Sequence, residues 1–256
     1  AISNRQDLED LERHQDSKNL EVPNWRSKLR SIKSNLEIME EKNKISMKEQ
    51  EELFNLIGRT LKKKIECYAV GGTAMMFLGI KETTKDIDLV FKEKEDYEIF
   101  RDTLIILGAK ESKFKIENRQ KVSSILNLGE ARFDLFLDYL IYFRLTGTII
   151  SRIKEVHEFF NMVVKIVSPE DIILFKSMAD RASDRVDASD IIRKLNVNWI
   201  QVLEEAELQT KNSEYFFSTF LYNFLIGLKE DFKADIPRDF MAKLEKITEK
   251  SLLESK

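Results

Sequence analysis

The sequence from Tyr68 to Phe91, YAVGGTAMMFLGIKETTKDIDLVF, decides the fold. It opens with an apolar run into Gly71 and Gly72, and the apolar segment from Thr73 to Leu78 predicts a short helix. A second strand-like run follows from Ile87 to Phe91. Two glycines at a strand-to-helix turn allow backbone N–H groups to approach a phosphate closely. The stretch therefore predicts strand, phosphate-binding turn, short helix and strand.

The second strand carries an acidic motif, Asp86-Ile87-Asp88. Residues two apart in a strand point the same way, so Asp86 and Asp88 share one face while Ile87, Leu89 and Phe91 face a core. Two carboxylates about 6.6 Å apart along a strand can converge on divalent cations. Together with the glycine turn, they predict a place to hold a metal-bound triphosphate.

This order of motifs resembles the nucleotidyltransferase fold of the polymerase-β-like superfamily. That family has a Gly-Gly or Gly-Ser turn, a short helix, Asp-x-Asp on the next strand and a third carboxylate on a later strand. The two glycines and two aspartates match the first parts in order and spacing. The Thr84-Lys85 pair before the acidic motif looks most similar to the branch of type IV toxin-like, abortive-infection nucleotidyltransferases. The resemblance covers about residues 65 to 195.

The third carboxylate of the pattern falls in the run Arg132 to Tyr139, which predicts a strand. A carboxylate in the middle of a strand is unfavourable unless something uses it. Asp134 matches the third family carboxylate. Asp138 lies about 13 Å farther along the strand, too far to share a metal easily, and is the reserve candidate.

A helix is predicted to start at Ser168, with Pro at its first position and acidic residues in its first turn. Its pattern places Lys176 on a core-facing stripe. Two interpretations stay open from position alone. The side chain either extends to solvent or pairs with Asp180, or it reaches into the cleft toward triphosphate oxygens.

The resemblance to the toxin-like branch favours the functional interpretation of Lys176. That branch has a lysine on this helix, then an arginine, then an Asp-x-x-Asp helix. Arg181 or Arg185, and Asp187 with Asp190, fit the same order. Asp187 is also a candidate cap of the following helix, and a cap is the preferred role for at least one of the two aspartates.

The resemblance implies two-metal nucleotidyl transfer with Mg²⁺ or Mn²⁺ as cofactor and an NTP as substrate. Asp86 and Asp88 would hold one metal, and the same pair with Asp134 would hold a second. Lys81 is a further candidate for phosphate contact. The predicted nucleotide-binding residues are Gly71, Gly72, Thr73, Lys85, Lys176 and Asp187.

The acceptor of the nucleotidyl group stays open. Toxin-like relatives imply an RNA end, such as the tRNA acceptor stem, or a protein hydroxyl, and antibiotic-modifying members imply a small molecule. A cognate antitoxin is a further partner that the branch implies. The alternative from a different class is a catalytically silent module of the same fold that binds RNA or a protein partner.

Composition narrows the class of protein. The chain has 256 residues and a formal net charge of −3, so bulk charge does not favour nucleic-acid binding. Its single cysteine, Cys67, excludes an intramolecular disulfide. No segment reaches the roughly 18 uninterrupted apolar residues of a membrane span, and no signal peptide is visible at Ala1. These features favour a cytoplasmic location and no membrane partner.

The complete pattern predicts an α+β protein in three parts. Residues 1–46 form an N-terminal helical arm, with a helix from about Trp25 to Asn43, or a solvated arm. Residues 47–167 form a nucleotidyltransferase core, a small mixed sheet flanked by helices. Residues 168–256 form a helical C-terminal domain with apolar helices from Val197 onward.

Overall fold

The computed structural model describes residues 44–112, 123–140, 142–212 and 216–254. The predicted helix of the N-terminal arm lies outside these ranges. The described residues belong to one compact unit that starts at Ile45. The division of the chain at residue 167 stays a prediction.

The described part of the chain alternates short strands with helices and then becomes helical. Its strands are β1 (Ile45–Ser46), β2 (Ile65–Ala69), β3 (Thr83–Thr84), β4 (Asp86–Phe91), β5 (Lys110–Glu111), β6 (Ser124–Leu128), β7 (Ala131–Leu137), β8 (Tyr139–Leu140), β9 (Phe143–Arg144), β10 (Glu155–Phe159) and β11 (Met162–Ile166). Its helices are α1 (Met47–Thr60), α2 (Gly71–Phe77), α3 (Lys94–Ile106), α4 (Gly147–Ser151), α5 (Pro169–Ala179), α6 (Ala182–Lys194), α7 (Trp199–Lys211), α8 (Phe217–Phe232) and α9 (Arg238–Glu254).

Seven strands form one mixed sheet in the order β10-β11-β2-β4-β7-β6-β5. The pairs β11/β2 and β4/β7 are parallel, and the other neighbours are antiparallel. Two small antiparallel pairs, β1/β3 and β8/β9, lie outside this sheet. The architecture is α+β, as the sequence predicts, with helices flanking a mixed sheet and a helical part after it.

Helix α3 covers one face of the central strands and leaves the acidic residues on the other. The ring of Phe100 on α3 lies 5.1 Å from Phe91 on β4 and 6.2 Å from Phe133 on β7, measured between centroids. All three side chains are fully buried. Burial of this apolar face fixes the strand register, because a slip of one residue would turn the aspartates into the core.

Strand β7 ends two residues earlier than the sequence predicts. It stops at Leu137, and Asp138 adopts a left-handed backbone conformation with φ of 58°. The Asp138 carboxylate accepts hydrogen bonds from Lys92 and from Arg144. Asp138 therefore turns the chain out of the sheet and is not a second mid-strand carboxylate.

The segment after β7 contains a short strand pair and a short helix. The strands β8 and β9 form a short pair, and α4 follows as a helix of five residues. Thr146 caps this helix by accepting a hydrogen bond from the Ile149 amide. The next strand, β10, lies at the sheet edge and is polar at most positions, so it had no apolar pattern that predicts it.

The helical part is joined to the preceding segment by a buried charged network. Arg152, which follows α4, donates to Asp171 on α5 and to Glu205 on α7. Asp171 and Glu205 are almost completely buried. Ser168 caps α5 as predicted, because its hydroxyl accepts from the Asp171 amide. Among the described helices, none combines the length and apolar composition needed to cross a membrane.

Candidate active site

The acidic residues of β4 and β7 meet because the two strands are parallel neighbours. Asp88 lies directly opposite Asp134, and Asp86 lies directly opposite Arg132. Adjacent strands are about 4.8 Å apart, so the backbones of these pairs are within side-chain reach of each other. The structure therefore brings the three predicted carboxylates to one face of the sheet.

The glycine turn lies against these carboxylates. Gly71 begins α2 with φ of +54°, and a Cβ built on it would lie 2.8 Å from Asp88 Oδ2. A Cβ on Gly72 would lie 2.3 Å from Thr84 Oγ1. A side chain at either position would come too close to a neighbouring side chain, and at Gly71 it would also strain the backbone.

The side chain of Thr73 holds Asp88 of β4 in position. It is fully buried, and its hydroxyl accepts a hydrogen bond of 2.9 Å from the backbone amide of Asp88. This contact ties the first turn of α2 to the middle of β4. We assign Thr73 to the placement of Asp88 and not to the phosphate contact expected from the sequence, because a fully buried hydroxyl does not face the cleft.

Desolvation and neighbouring charges raise the pKa of two of the carboxylates, Asp88 and Asp134. Desolvation by the surrounding protein, with the charges of Asp134 and Asp86, raises the pKa of Asp88 well above its usual range. Burial raises the pKa of Asp134 to about 6, against the opposing effect of Arg132 and with a further increase from Asp86. Positive charge from Lys176 and Arg181 opposes the shift at Asp88. The surrounding positive charges therefore offset only part of the upward pKa shifts of Asp88 and Asp134.

Arg132 lies between two of the carboxylates. Its Nε and one terminal nitrogen each lie 2.8 Å from an oxygen of Asp134. Its Nε also lies 3.5 Å from Asp86 Oδ1. The guanidinium therefore binds Asp134 in a bidentate manner and is shared with Asp86.

Lys176 is buried and paired with two aspartates of the next helix. Its Nζ lies 3.1 Å from Asp184 Oδ1 and 2.7 Å from Asp187 Oδ2. Lys81, which follows α2, donates to both oxygens of Asp187 at 3.0 Å. This cluster of two lysines and two aspartates connects the glycine turn to α5 and α6. Neither pairing with Asp180 nor extension to solvent describes Lys176.

The arginine and aspartates expected after Lys176 separate into two groups. Arg181 donates to Asp184, and its pKa is raised by that contact and by the charges of Asp88 and Asp86. Arg181 is therefore the arginine near the carboxylates. Arg185 instead pairs with Asp180, and Asp190 pairs with Arg193, both away from the acidic strands.

Two other sequence expectations concern a helix cap and Lys85. The interpretation of Asp187 or Asp190 as a helix cap is wrong, because α6 already begins at Ala182 and both aspartates lie within it. Lys85 is exposed and immediately precedes Asp86 in the chain, and its predicted contact with nucleotide stays a prediction.

Two residues of the site were not singled out from the sequence. Arg132 lies two positions before Asp134 and so shares its face of β7, and Asp184 lies three positions before Asp187 on one face of α6. The strand period and the helix period were the signals that pointed to them. The contacts of Arg132 and Asp184 depend on which strands and helices are neighbours, and periodicity alone does not predict that.

The donor chemistry fits a small hard cation. Three carboxylates next to a glycine turn are the ligands that Mg²⁺ and Mn²⁺ prefer. Within the described ranges, however, no three metal-binding side chains are already gathered around one point. Asp134 engages Arg132 instead, so the guanidinium stands where positive charge is needed. For Asp134 to bind a metal, it would have to part from Arg132.

The fold and the site together define a protein of the nucleotidyltransferase fold. The chain belongs to a family of nucleotidyl transferases of unknown function, DUF2204, whose sequence profile matches residues 49–216. A solved structure described as an antigenic nucleotidyltransferase-like protein from Paracoccidioides brasiliensis is similar, with 16% identity and a TM-score of 0.45, over 75% of this chain and 96% of that chain. None of the curated proteins that were compared matches the sequence.

Proposed function

We propose that this protein transfers NMP from an NTP to an acceptor hydroxyl in a reaction that depends on Mg²⁺ or Mn²⁺. The observation that carries the proposal is the pairing of Asp88 with Asp134 across parallel strands, with Asp86 on the same face and Gly71 in contact with Asp88. A structural site would not retain like charges at this spacing, because they repel each other.

Asp86, Asp88 and Asp134 are the residues that would hold the metal. When bound, the metal supplies charge neutralisation at the phosphates and lowers the pKa of the attacking hydroxyl. The amides of Gly71 and Gly72 are the proposed phosphate donors, because they lie in the first turn of α2 and Gly71 lies beside Asp88.

The transfer itself forms a bond between the acceptor oxygen and the α-phosphorus and breaks the bond to the β-phosphate, so pyrophosphate leaves. The chain contributes positive charge beside the carboxylates for this step. Arg181 is close enough to perturb Asp88 and Asp134, and Lys176 is close enough to perturb Asp88. Such fixed charges stabilise the negative charge that develops on the leaving pyrophosphate.

The acceptor that we propose is an RNA end, such as a tRNA acceptor stem, or a protein hydroxyl. The ground for this choice is the resemblance of the Thr84-Lys85 pair and of the Lys176 segment to the toxin-like branch. In the same proposal a cognate antitoxin is the partner that restrains the activity.

Label transfer tests the proposal directly. Purified protein is mixed with Mg²⁺, each α-labelled NTP in turn, and total RNA or a cell lysate. We expect label on RNA or on protein with the wild type and none with Asp86→Asn/Asp88→Asn. Asp138→Asn is the matched control, because Asp138 pairs with Lys92 and Arg144 outside the acidic cluster and should leave transfer intact.

Two results would contradict the proposal in different ways. Nucleotide binding without transfer to RNA, protein or small hydroxyl compounds would favour a silent binding module of the same fold. Equal transfer by the wild type and the double variant would show that the label comes from a contaminating enzyme.

A further inference from the structure

Arg132 is placed where a metal ion would have to bind. It lies on β7 opposite Asp86, and it points along the same face as Asp134. Both oxygens of Asp134 receive its hydrogen bonds at 2.8 Å, and Asp86 Oδ1 lies 3.5 Å from its Nε. A divalent cation needs carboxylate oxygens at about 2.0–2.6 Å, so it cannot share Asp134 with this guanidinium without strong repulsion.

The exposure of Arg132 distinguishes it from a structural arginine of the same chain. Arg152 also donates to a carboxylate, Asp171, but its side chain is only 11% exposed and Asp171 is fully buried. The Arg132 side chain is 42% exposed. Asp134, in contrast, is only 9% exposed, so Arg132 can leave it only when another cation takes its place beside the carboxylate. Arg152 cannot do the same, since two buried carboxylates would lose their partner.

Once released from Asp134, the guanidinium of Arg132 can bind phosphate oxygens instead. Arginine binds phosphate oxygens in a bidentate manner, as it binds the carboxylate of Asp134. The phosphates of an NTP held by the proposed metal ligands would lie beside Arg132, because it stands on the same strand face. Its hydrogen bonds would then pass from Asp134 to phosphate without loss.

We propose that Arg132 is an exchangeable counter-ion of this site: it occupies Asp134 and Asp86 when no metal is bound and moves to phosphate when metal and NTP bind together. This inference rests on the proposed function. Arg132 opposes the binding of free metal and favours the binding of the metal–NTP complex. The site would therefore bind metal tightly only when nucleotide arrives with it.

The test measures binding of Mn²⁺ to Arg132→Gln by electron paramagnetic resonance, with and without a non-hydrolysable NTP analogue. For Mn²⁺ alone, we expect about tenfold tighter binding than in the wild type, since a competing charge is lost. For Mn²⁺ with the analogue, we expect weaker binding than in the wild type. Tighter binding of free Mn²⁺ together with weaker binding of Mn²⁺ with the analogue is specific to the exchange, because a damaged fold would weaken binding in both cases.

Two further variants support this measurement. Arg132→Lys keeps the charge and should retain wild-type affinity for free Mn²⁺ to within about threefold. Arg144→Gln removes an exposed arginine that pairs with Asp138 outside the cluster and should change neither affinity. Thermal unfolding of each variant checks that the protein is folded.

The outcomes separate this inference from the proposed function. If Arg132→Gln binds free Mn²⁺ no more tightly than the wild type, while Asp88→Asn abolishes binding of the Mn²⁺–analogue complex, the exchange is wrong and the proposed function stands. If neither the wild type nor Arg132→Gln binds Mn²⁺ with or without analogue, both are wrong.

Discussion

Gly71 leaves no room for a side chain beside Asp88, since a Cβ at that position would lie 2.8 Å from Asp88 Oδ2. Its φ of +54° adds backbone strain for any other residue. We therefore expect Gly71→Ala to lower the free energy of unfolding by about 2 kcal/mol and to abolish nucleotide binding. Chemical denaturation and equilibrium binding of a labelled NTP analogue measure the two effects.

Gly79→Ala is the matched control for this prediction. Gly79 has a similar φ of +68°, but a Cβ there meets nothing within 4 Å. It should lose about 1 kcal/mol from backbone strain alone and retain nucleotide binding. Equal loss of binding in both variants would mean that contact with Asp88 is not what makes Gly71 necessary.

Asp88→Asn should make the metal-free protein more stable. The carboxylate is desolvated and lies beside the charges of Asp134 and Asp86, which together raise its pKa well above the usual range. Replacing it with a neutral side chain removes this repulsion, and we expect an increase in Tm of about 2–4 °C. The same variant should lose the increase in Tm that saturating Mn²⁺ and NTP analogue give the wild type.

Asp138→Asn provides the contrast. Asp138 accepts from Lys92 and Arg144, so its substitution removes favourable pairs and should lower Tm slightly. It should leave the stabilisation by metal and nucleotide unchanged. A decrease in Tm for Asp88→Asn as large as that for Asp138→Asn would contradict the view that charge at Asp88 is retained for function.

The part of the site that follows local periodicity could be predicted from the sequence. Asp86 and Asp88 share a face because residues alternate along a strand, and the turn at Gly71 follows from its place between an apolar run and a helix. Asp134 was assigned through the order of motifs. The signals for Asp86, Asp88 and Gly71 lie within a few residues of chain, whereas Asp134 depended on the family pattern.

The part that depends on which elements are neighbours could not be predicted. That Asp88 faces Asp134, and Asp86 faces Arg132, follows from the parallel register of β4 and β7, which no local pattern specifies. Asp187, a predicted nucleotide-binding residue, was also considered as a helix cap because Arg181 carries no capping signal, although the helix begins just after Arg181. The positions of these residues were clear from the sequence, but their partners were not. The partners depend on the register of distant strands and on a helix that starts without a usual cap.

The stability of the metal-free protein should fall as pH rises toward neutrality. The pKa of Asp134 is raised by burial to about 6 from an ordinary value of 3.8, with Asp86 adding to the shift and Arg132 and Arg181 opposing it. Between these values the folded state binds more protons at Asp134 than the unfolded chain does, so the unfolding free energy decreases with pH. Above about pH 6 the loss is complete.

Asp134→Asn isolates this contribution. The unfolding free energy of the variant minus that of the wild type should increase by up to about 3 kcal/mol from pH 4 to pH 7 and then stay constant. Denaturant titrations at intervals of half a pH unit in the presence of a chelator measure it. A difference that decreases with pH would show that Asp134 is stabilised as a carboxylate by Arg132 and is not short of positive charge.

Lys176→Met should destabilise the protein and weaken nucleotide binding together. The lysine side chain is 8% exposed, and its two partners, Asp184 and Asp187, are 3% and 12% exposed. Its loss leaves two buried carboxylates with reduced compensation, and we expect a decrease of about 3 kcal/mol or more in the unfolding free energy. Lys63→Met removes an exposed pair with Glu95 and should change stability by less than about 1 kcal/mol.

A second substitution separates the two roles of Lys176. Lys176→Met/Asp184→Asn removes one of the two carboxylates that have lost part of their compensation and should recover part of the lost stability, as denaturation will show. NTP affinity, measured well below the unfolding temperature, should stay at least about tenfold below that of Lys63→Met in both variants. If affinity returns with stability, Lys176 only holds α5 against α6. Continued weak binding in a restabilised protein requires its charge to act on the nucleotide, because the packing defect has then been removed.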